Sequence, residues 1–205
     1  MPSNPPGTTS EERCTALAGA LKRYQETVCA EYDETLRDVT GRVAATGSLG
    51  KTDLGALFFW KRIPAGPWAE ELLCMPDSTV RRITAAAVAA ARDQQLTVPQ
   101  AARRARQALL VLPGAKTGDP FASAVILAAA PDRMAVYDYR AHLGLWRAGL
   151  HLADGSGLYY RYMELVEQCR AELLQLRYGN WTAREVDLAL FTLGKHRGPR
   201  ARPWN

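Results

Sequence analysis

Residues Leu112 to Asp138, LPGAKTGDPFASAVILAAAPDRMAVYD, form the stretch of sequence that decides the predicted fold. Its LPG triplet ends one helix, because proline and glycine interrupt helical hydrogen bonding. Asp119-Pro120 begins the next helix, since a capping aspartate followed by proline is a clear helix-start signal. The alanine-rich run that follows is apolar on all sides, which is typical of a buried helix. The stretch therefore predicts two helices joined by a glycine-bearing turn.

Helix signals recur along the whole chain, whereas strand signals are nearly absent. Thr9 with Glu12, and Thr182 with Glu185, have the spacing of capping boxes. The one short strand candidate is the segment from Met134 to Tyr137. We therefore predict an all-α fold, a compact globular array of about eight helices with a central helix-hairpin-helix.

The domain organisation follows from where these helices are expected to begin and end. The first helix is expected to continue from Thr9 toward Gly41, the second to end before Pro64, and the third to begin at Asp77 or Ser78. Residues 9–195 are predicted to form a single helical domain. Residues 1–8, rich in Pro, Ser and Gly, are predicted to be disordered, and residues 196–205 to form a basic tail.

Composition indicates a globular protein and does not identify its partner. The chain has 205 residues, 47% of them hydrophobic and 23% charged, which is ordinary globular composition. Its net charge of +5 favours approach to a polyanion without identifying one. Basic residues crowd two short segments, Arg103 to Arg106 and Lys195 to Arg202, although solvated faces would explain them equally well.

The expected location is the cytoplasm, with no membrane association. The N-terminal residues lack the basic and apolar regions of a signal peptide, and the longest apolar run, Phe121 to Pro131, is too short to span a bilayer. Four widely spaced cysteines and three histidines do not form a metal-binding pattern, so we expect buried thiols and neither metal nor cofactor.

The turn between the two central helices has the features of a phosphate-binding site. Gly114 and Gly118 can adopt positive φ and expose backbone N–H groups, and the following helix presents the positive end of its dipole. Lys116 adds a positive charge in the turn. An ordinary helix connection closed by a glycine remains the alternative.

The same residues resemble the core of the helix-hairpin-helix (HhH-GPD) DNA glycosylase superfamily. In that family an L-P-G-x-G turn opens an alanine-rich helix, and a short loop then delivers an aspartate in a Val-x-Asp context. Here Leu112, Pro113, Gly114 and Gly118 correspond to the turn, and Asp138 follows Val136 in the loop. The resemblance implies double-stranded DNA as partner, and Asp138 as the catalytic carboxylate that helps hydrolyse the N-glycosidic bond of a damaged or modified base.

The chain departs from the family pattern at two places. Three residues separate Gly114 from Gly118, whereas the family turn has one. Pro120 stands where bifunctional members carry their Schiff-base lysine, which implies an enzyme without lyase activity.

The remaining candidate residues are aromatic and basic side chains near these segments. Aromatic rings can stack on a base that has been turned out of the duplex, and basic side chains can contact the DNA backbone. The predicted base pocket consists of Trp60, Tyr137, Tyr139 and His142, and the predicted DNA contacts are Gly114, Lys116, Gly118, Lys61, Arg62 and Arg140.

Several alternatives remain open at this point. Asp138 can serve only as a helix N-cap, in which case the chain is a non-catalytic helix-hairpin-helix DNA-binding or regulatory protein. A structural or protein-interaction domain is a third possibility. Residues 45–52, ATGSLGKT, nearly match a nucleotide-binding P-loop, but the strand that such a loop requires is not predicted.

Overall fold

The computed structural model describes residues 7–116 and 119–195. Within these ranges the chain forms ten α-helices and no strand, which confirms the all-α prediction. The helices are α1 Ser10–Thr27, α2 Glu34–Thr46, α3 Lys51–Lys61, α4 Pro67–Cys74, α5 Asp77–Arg92, α6 Val98–Ala108, α7 Asp119–Ala129, α8 Tyr139–Arg147, α9 Leu158–Gln175 and α10 Ala183–Lys195. The predictions for residues 1–6, Gly118 and the tail 196–205 lie outside the described residues.

The predicted number of about eight helices was too low. The expected first helix is divided, because the chain leaves helical geometry after Thr27 and makes a 3-10 turn at Ala30–Asp33 before α2 begins. The second additional helix is α4, which sequence analysis missed. Its signal was Pro67 directly after Gly66, since proline is favoured at the first helical position.

Capping explains why several helices begin where they do. At α1 the Thr9 hydroxyl accepts from the Glu12 N–H at 3.2 Å, while the Glu12 carboxylate accepts from the Thr9 N–H at 2.9 Å, as predicted. At α10 the Glu185 carboxylate accepts from the Thr182 N–H at 2.7 Å. These reciprocal bonds satisfy N–H groups that the first turn of a helix leaves unpaired.

The helix α7 lies at the centre of the fold. All nine residues from Phe121 to Ala129 are buried, in agreement with the prediction of a fully buried helix. Helices α2, α3, α5 and α6 pack around it. Small alanine side chains let these neighbours approach closely, so one continuous hydrophobic core forms around α7.

The one predicted strand candidate, Met134 to Tyr137, is not a strand: the segment after α7 has no regular secondary structure. Side chains hold it instead: the Tyr159 hydroxyl donates to the Ala135 carbonyl at 2.8 Å, and the Tyr162 hydroxyl donates to the Val136 carbonyl at 3.0 Å. The Tyr137 N–H donates to the Ser123 hydroxyl at 3.0 Å. These bonds fix the backbone immediately before Asp138.

Helices α8 and α10 approach each other unusually closely, and a glycine on each explains why. A Cβ atom on Gly144 would lie 2.1 Å from the Leu190 carbonyl oxygen, and one on Gly194 would lie 2.0 Å from the Arg140 carbonyl oxygen. Gly194 therefore serves packing and does not end α10, which continues to Lys195. The contact brings the start of α8 beside one face of α10.

Candidate functional site

A cavity of about 760 Å³ opens beside Asp138. This volume falls in the range of ordinary small-molecule sites, roughly 300–1,000 Å³. The ends of α1 and α3, the starts of α7 and α8 and one face of α10 form its walls. Among the predicted site residues, those lining the cavity are Trp60, Lys61, Arg62, Asp138, Tyr139 and Arg140.

Asp138 is held from two directions at the N-terminus of α8. Its Oδ1 accepts from the Ala141 N–H at 2.8 Å, which makes it the N-cap of the helix. Its Oδ2 accepts from the ammonium group of Lys61, at the end of α3. Both side chains retain 16% exposure, so the ion pair is partly accessible from the cavity.

Lys61 already has a partner within the protein. Its ammonium group is engaged by the Asp138 carboxylate, whereas the sequence analysis assigned it to the DNA backbone.

The two predicted stacking residues in the cavity differ in accessibility. Tyr139 is 47% exposed, so its ring is open to a ligand. Trp60 is only 5% exposed, because Arg184 covers its ring at 5.3 Å and its indole N–H donates to Asp33 at 2.8 Å. Trp60 therefore forms part of the cavity wall, and its ring is not open to stacking with a base.

A second carboxylate, Asp187, lines the same cavity and was missed by sequence analysis. It is 3% exposed and pairs with the Arg184 guanidinium at 2.5 Å, while Arg184 also reaches Asp33 at 3.3 Å. Burial raises the pKa of Asp187, and the positive charges of Arg184 and Lys61 oppose that rise. This network ties α10 to the turn before α2.

Cations surround Phe191 on the adjacent turn of α10. The Lys195 ammonium lies 4.6 Å from the centre of the Phe191 ring, the Arg140 guanidinium carbon 5.0 Å and the Lys61 ammonium 5.4 Å. Arg62 lines the same cavity and has a left-handed backbone with φ of 55°, a conformation that non-glycine residues seldom adopt. This side of the cavity is strongly positive.

Tyr137 and His142 do not line the cavity. The Tyr137 hydroxyl and the His142 Nδ1 lie 2.9 Å apart, so the two side chains satisfy each other. Burial lowers the pKa of His142, an effect that the nearby Asp154 carboxylate opposes. The structure thus separates these two residues from the other predicted base-pocket residues.

The predicted hairpin connects α6 and α7. Gly114 has φ of 81°, and a Cβ atom there would lie 2.7 Å from the Trp68 ring, so this position requires glycine. Lys116 is exposed, and its carbonyl accepts from Arg106 at 3.3 Å. The phosphate-binding hairpin also depends on Gly118, which lies outside the described residues, and it stays a prediction.

A second cavity, of about 800 Å³, lies on the other side of the α7 N-terminus. Arg103 and Arg106 from the predicted basic segment line it, but Arg106 pairs with Asp119 at 3.0 Å. Arg104 lies 3.6 Å from Asp93. Carboxylates therefore compensate part of this charge, and the basic segment is less positive than the sequence suggested.

Asp187 and its neighbours in the cavity share one face of α10. Asp187, Phe191 and Lys195 follow each other at intervals of four along α10, and Arg184 precedes them by one turn. The available signal was Asp187 inside the otherwise apolar run VDLALF, residues 186–191, because a buried charge needs a partner. No local pattern indicates which helix packs against Asp187.

No protein-family model, no curated protein and no solved structure matches this chain. Among the described residues, no helix has the length and hydrophobicity needed to cross a membrane. The same residues contain no group of three or more His, Cys, Asp or Glu side chains placed to hold a metal ion. Of the cysteines expected to be buried, Cys14 and Cys169 are buried, whereas Cys29 and Cys74 are exposed.

Proposed function

We propose that this chain is a DNA-binding protein that acts as a monofunctional DNA glycosylase, hydrolysing the N-glycosidic bond of a damaged or modified base in double-stranded DNA. The observation that carries the proposal is the position of Asp138, a carboxylate at a helix N-terminus on the wall of an open cavity. An exposed aromatic ring, Tyr139, and several cations line the same cavity.

The proposed chemistry requires one well-positioned carboxylate. As the bond between sugar and base breaks, positive charge develops on the sugar, and a nearby anion stabilises it. A water oxygen then bonds to the sugar carbon, the glycosidic electron pair leaves with the base, and Asp138 takes up a proton from the water. The bonds from Ala141 and Lys61 hold the carboxylate in one orientation while this occurs.

The cavity is also consistent with extraction of a base from the duplex. An enzyme that acts on a base within DNA must first turn it out of the stack and hold it in a pocket. A volume of about 760 Å³ accommodates a nucleotide, and Tyr139 offers a ring on which a base can stack.

The proposal excludes lyase chemistry at the position where the bifunctional family members carry their lysine. Pro120 occupies that position and lines the cavity, so this position supplies no amine.

The experiment compares wild type with Asp138→Asn on duplexes that carry assorted damaged or modified bases. Asparagine is as good an N-cap as aspartate, so the substitution removes the charge while retaining the start of α8. After incubation, alkali cleaves the strand wherever a base has been lost. Strand breaks with wild type and none with Asp138→Asn support the proposal.

A non-catalytic DNA-binding protein is the second candidate, and one observation favours it. Both carboxylate oxygens of Asp138 already have protein partners, the Ala141 N–H and the Lys61 ammonium. If wild type and Asp138→Asn bind duplex DNA equally tightly and neither yields abasic product on any duplex, the glycosylase proposal fails and this candidate replaces it.

A further inference from the structure

Three exposed cations, Arg62, Arg140 and Lys195, converge on one side of the Asp138 cavity. They come from three different elements: the end of α3, the first turn of α8 and the last residue of α10. Arg140 and Lys195 both lie over the Phe191 ring, at 5.0 and 4.6 Å from its centre. The close contact of α8 with α10 therefore concentrates charges that are distant in sequence.

These three charges have no carboxylate partner among the described residues, unlike the other cations of the cavity. Lys61 pairs with Asp138, and Arg184 pairs with Asp187. Within the described residues, no carboxylate oxygen of Asp or Glu lies within 4.0 Å of a side-chain nitrogen of Arg62, Arg140 or Lys195. Like charges held together without compensation are expected where a protein binds an anion.

The local environment shows the effect of this crowding. Burial lowers the pKa of Lys195, and the charges of Arg140 and Arg62 lower it further. An anion bound between the three side chains would offset this repulsion.

We propose that Arg62, Arg140 and Lys195 form a subsite for a phosphate group of the nucleotide that occupies the Asp138 cavity. Phosphate has several acceptor oxygens, which suit the forked donors of two arginines and the point charge of a lysine. The identification of this nucleotide as part of a DNA strand rests on the proposed function. The phosphate itself can belong either to the DNA backbone or to a free nucleotide, and the test separates these sources.

The first experiment measures binding of a labelled duplex that contains a stable tetrahydrofuran abasic analogue, so no reaction is required. A neutral methylphosphonate replaces one phosphate at a time around the analogue. Wild type is expected to lose affinity about tenfold at one particular linkage, the effect of losing a charge-assisted hydrogen bond. Arg140→Gln and Lys195→Gln should bind the unmodified duplex about tenfold more weakly and lose less affinity than wild type at that linkage, because one of the three contacts to the phosphate is already missing.

Lys22→Gln is the matched control. Lys22 carries the same charge on α1, its side chain is 78% exposed, and it does not line the cavity. This variant should bind like wild type and keep the sensitivity to the same linkage. Circular dichroism of all variants checks that the exposed substitutions leave the fold intact.

The second experiment titrates wild type with a deoxynucleoside 5′-monophosphate and with the corresponding nucleoside. One outcome is that the monophosphate binds and the nucleoside does not, that Arg140→Gln abolishes this binding, and that no duplex is bound. The subsite then holds a free nucleotide, and the proposed DNA function is wrong while the subsite stands. If wild type binds the duplex but shows no sensitive linkage, or if both variants lose as much affinity as wild type at the same linkage, the subsite is wrong while the glycosylase proposal stands.

Discussion

Lys61 and Asp138 form an ion pair between the end of α3 and the start of α8, although they are 77 positions apart in the sequence. The carboxylate is therefore fixed by a long-range partner on one oxygen and by the local helix N–H of Ala141 on the other. A group oriented in this way is pre-organised, which is what electrostatic stabilisation of a developing charge requires. The same two bonds also make separate contributions to stability.

Asp138→Asn and Asp138→Ala should differ in stability but not in activity. Both remove the negative charge, so both should abolish base removal. Alanine also removes the N-cap of α8, which costs about 1 kcal/mol of stability relative to asparagine. Urea denaturation followed by circular dichroism measures this difference. Equal free energies of unfolding for the two variants would contradict the capping role of Asp138.

The helices were predictable wherever a local signal determined them. The capping pairs at Thr9 and Thr182, and the Asp119-Pro120 start of α7, depend on residues close in sequence. The interruption of the first helix after Thr27 was not predictable, because its apolar pattern continues to Leu36, a buried residue of α2.

The candidate site was only partly predictable, for a different reason. The family resemblance indicated Asp138, and Lys61 and Arg140 were predicted as basic side chains near the same segments. Their common location depends on how the helices cross. The crossing of α8 and α10 requires Gly144 and Gly194, and no local pattern indicates which glycine permits a close helix contact. Asp187 and Phe191 lie in the site only because of that tertiary contact.

Gly114→Ala should destabilise the protein more than Gly47→Ala. Both glycines have positive φ, 81° and 70°, so alanine incurs a backbone cost of about 1 kcal/mol at either position. At Gly114 the new Cβ also lies 2.7 Å from the Trp68 ring, whereas at Gly47 nothing lies within 4 Å. We expect the clash to add at least about 1 kcal/mol, measured by urea denaturation. Equal losses would show that Trp68 moves aside freely.

His142 should make stability depend on pH in the mildly acidic range. Burial lowers its pKa in the folded protein from the ordinary value of 6.5, so the unfolded chain binds the proton more readily. Its contribution to stability is therefore fully present above pH 6.5 and is lost as the pH falls below that value.

The measurement compares wild type with His142→Gln by thermal denaturation between about pH 7.5 and 5.5. Glutamine retains an acceptor for the Tyr137 hydroxyl but does not titrate. Wild type should lose more stability than His142→Gln across this range. Carboxyl groups with a lowered pKa, such as Glu172, have an ordinary pKa of 4.5, which lies below this pH range. They are also present in both proteins, so they affect both alike. Parallel curves for the two proteins would show that His142 does not titrate on unfolding.

Lys116→Ala should weaken DNA binding equally for all sequences and reduce its dependence on salt. Lys116 is exposed in the turn before α7, and a phosphate contact there would carry no sequence information. Loss of one such contact lowers the slope of log affinity against log salt by about 0.9 for duplex DNA. Binding titrations at several salt concentrations measure the slope, with Lys22→Ala as control. An unchanged slope would show that Lys116 does not contact a DNA phosphate.

Borohydride should not trap a covalent complex between this protein and abasic DNA. Such trapping requires an amine with a free electron pair that attacks the sugar aldehyde and forms a Schiff base. Pro120 offers no amine. Of the two lysines that line the cavity, Lys61 is paired with Asp138, and Lys195 is the residue that we propose to bind phosphate. The measurement is denaturing electrophoresis of wild type, Lys61→Met, Lys195→Met and Lys22→Met after reduction in the presence of an abasic duplex. A shifted band for wild type and Lys22→Met that disappears for Lys61→Met or for Lys195→Met would identify that lysine as a nucleophile, and the protein would then be a lyase as well.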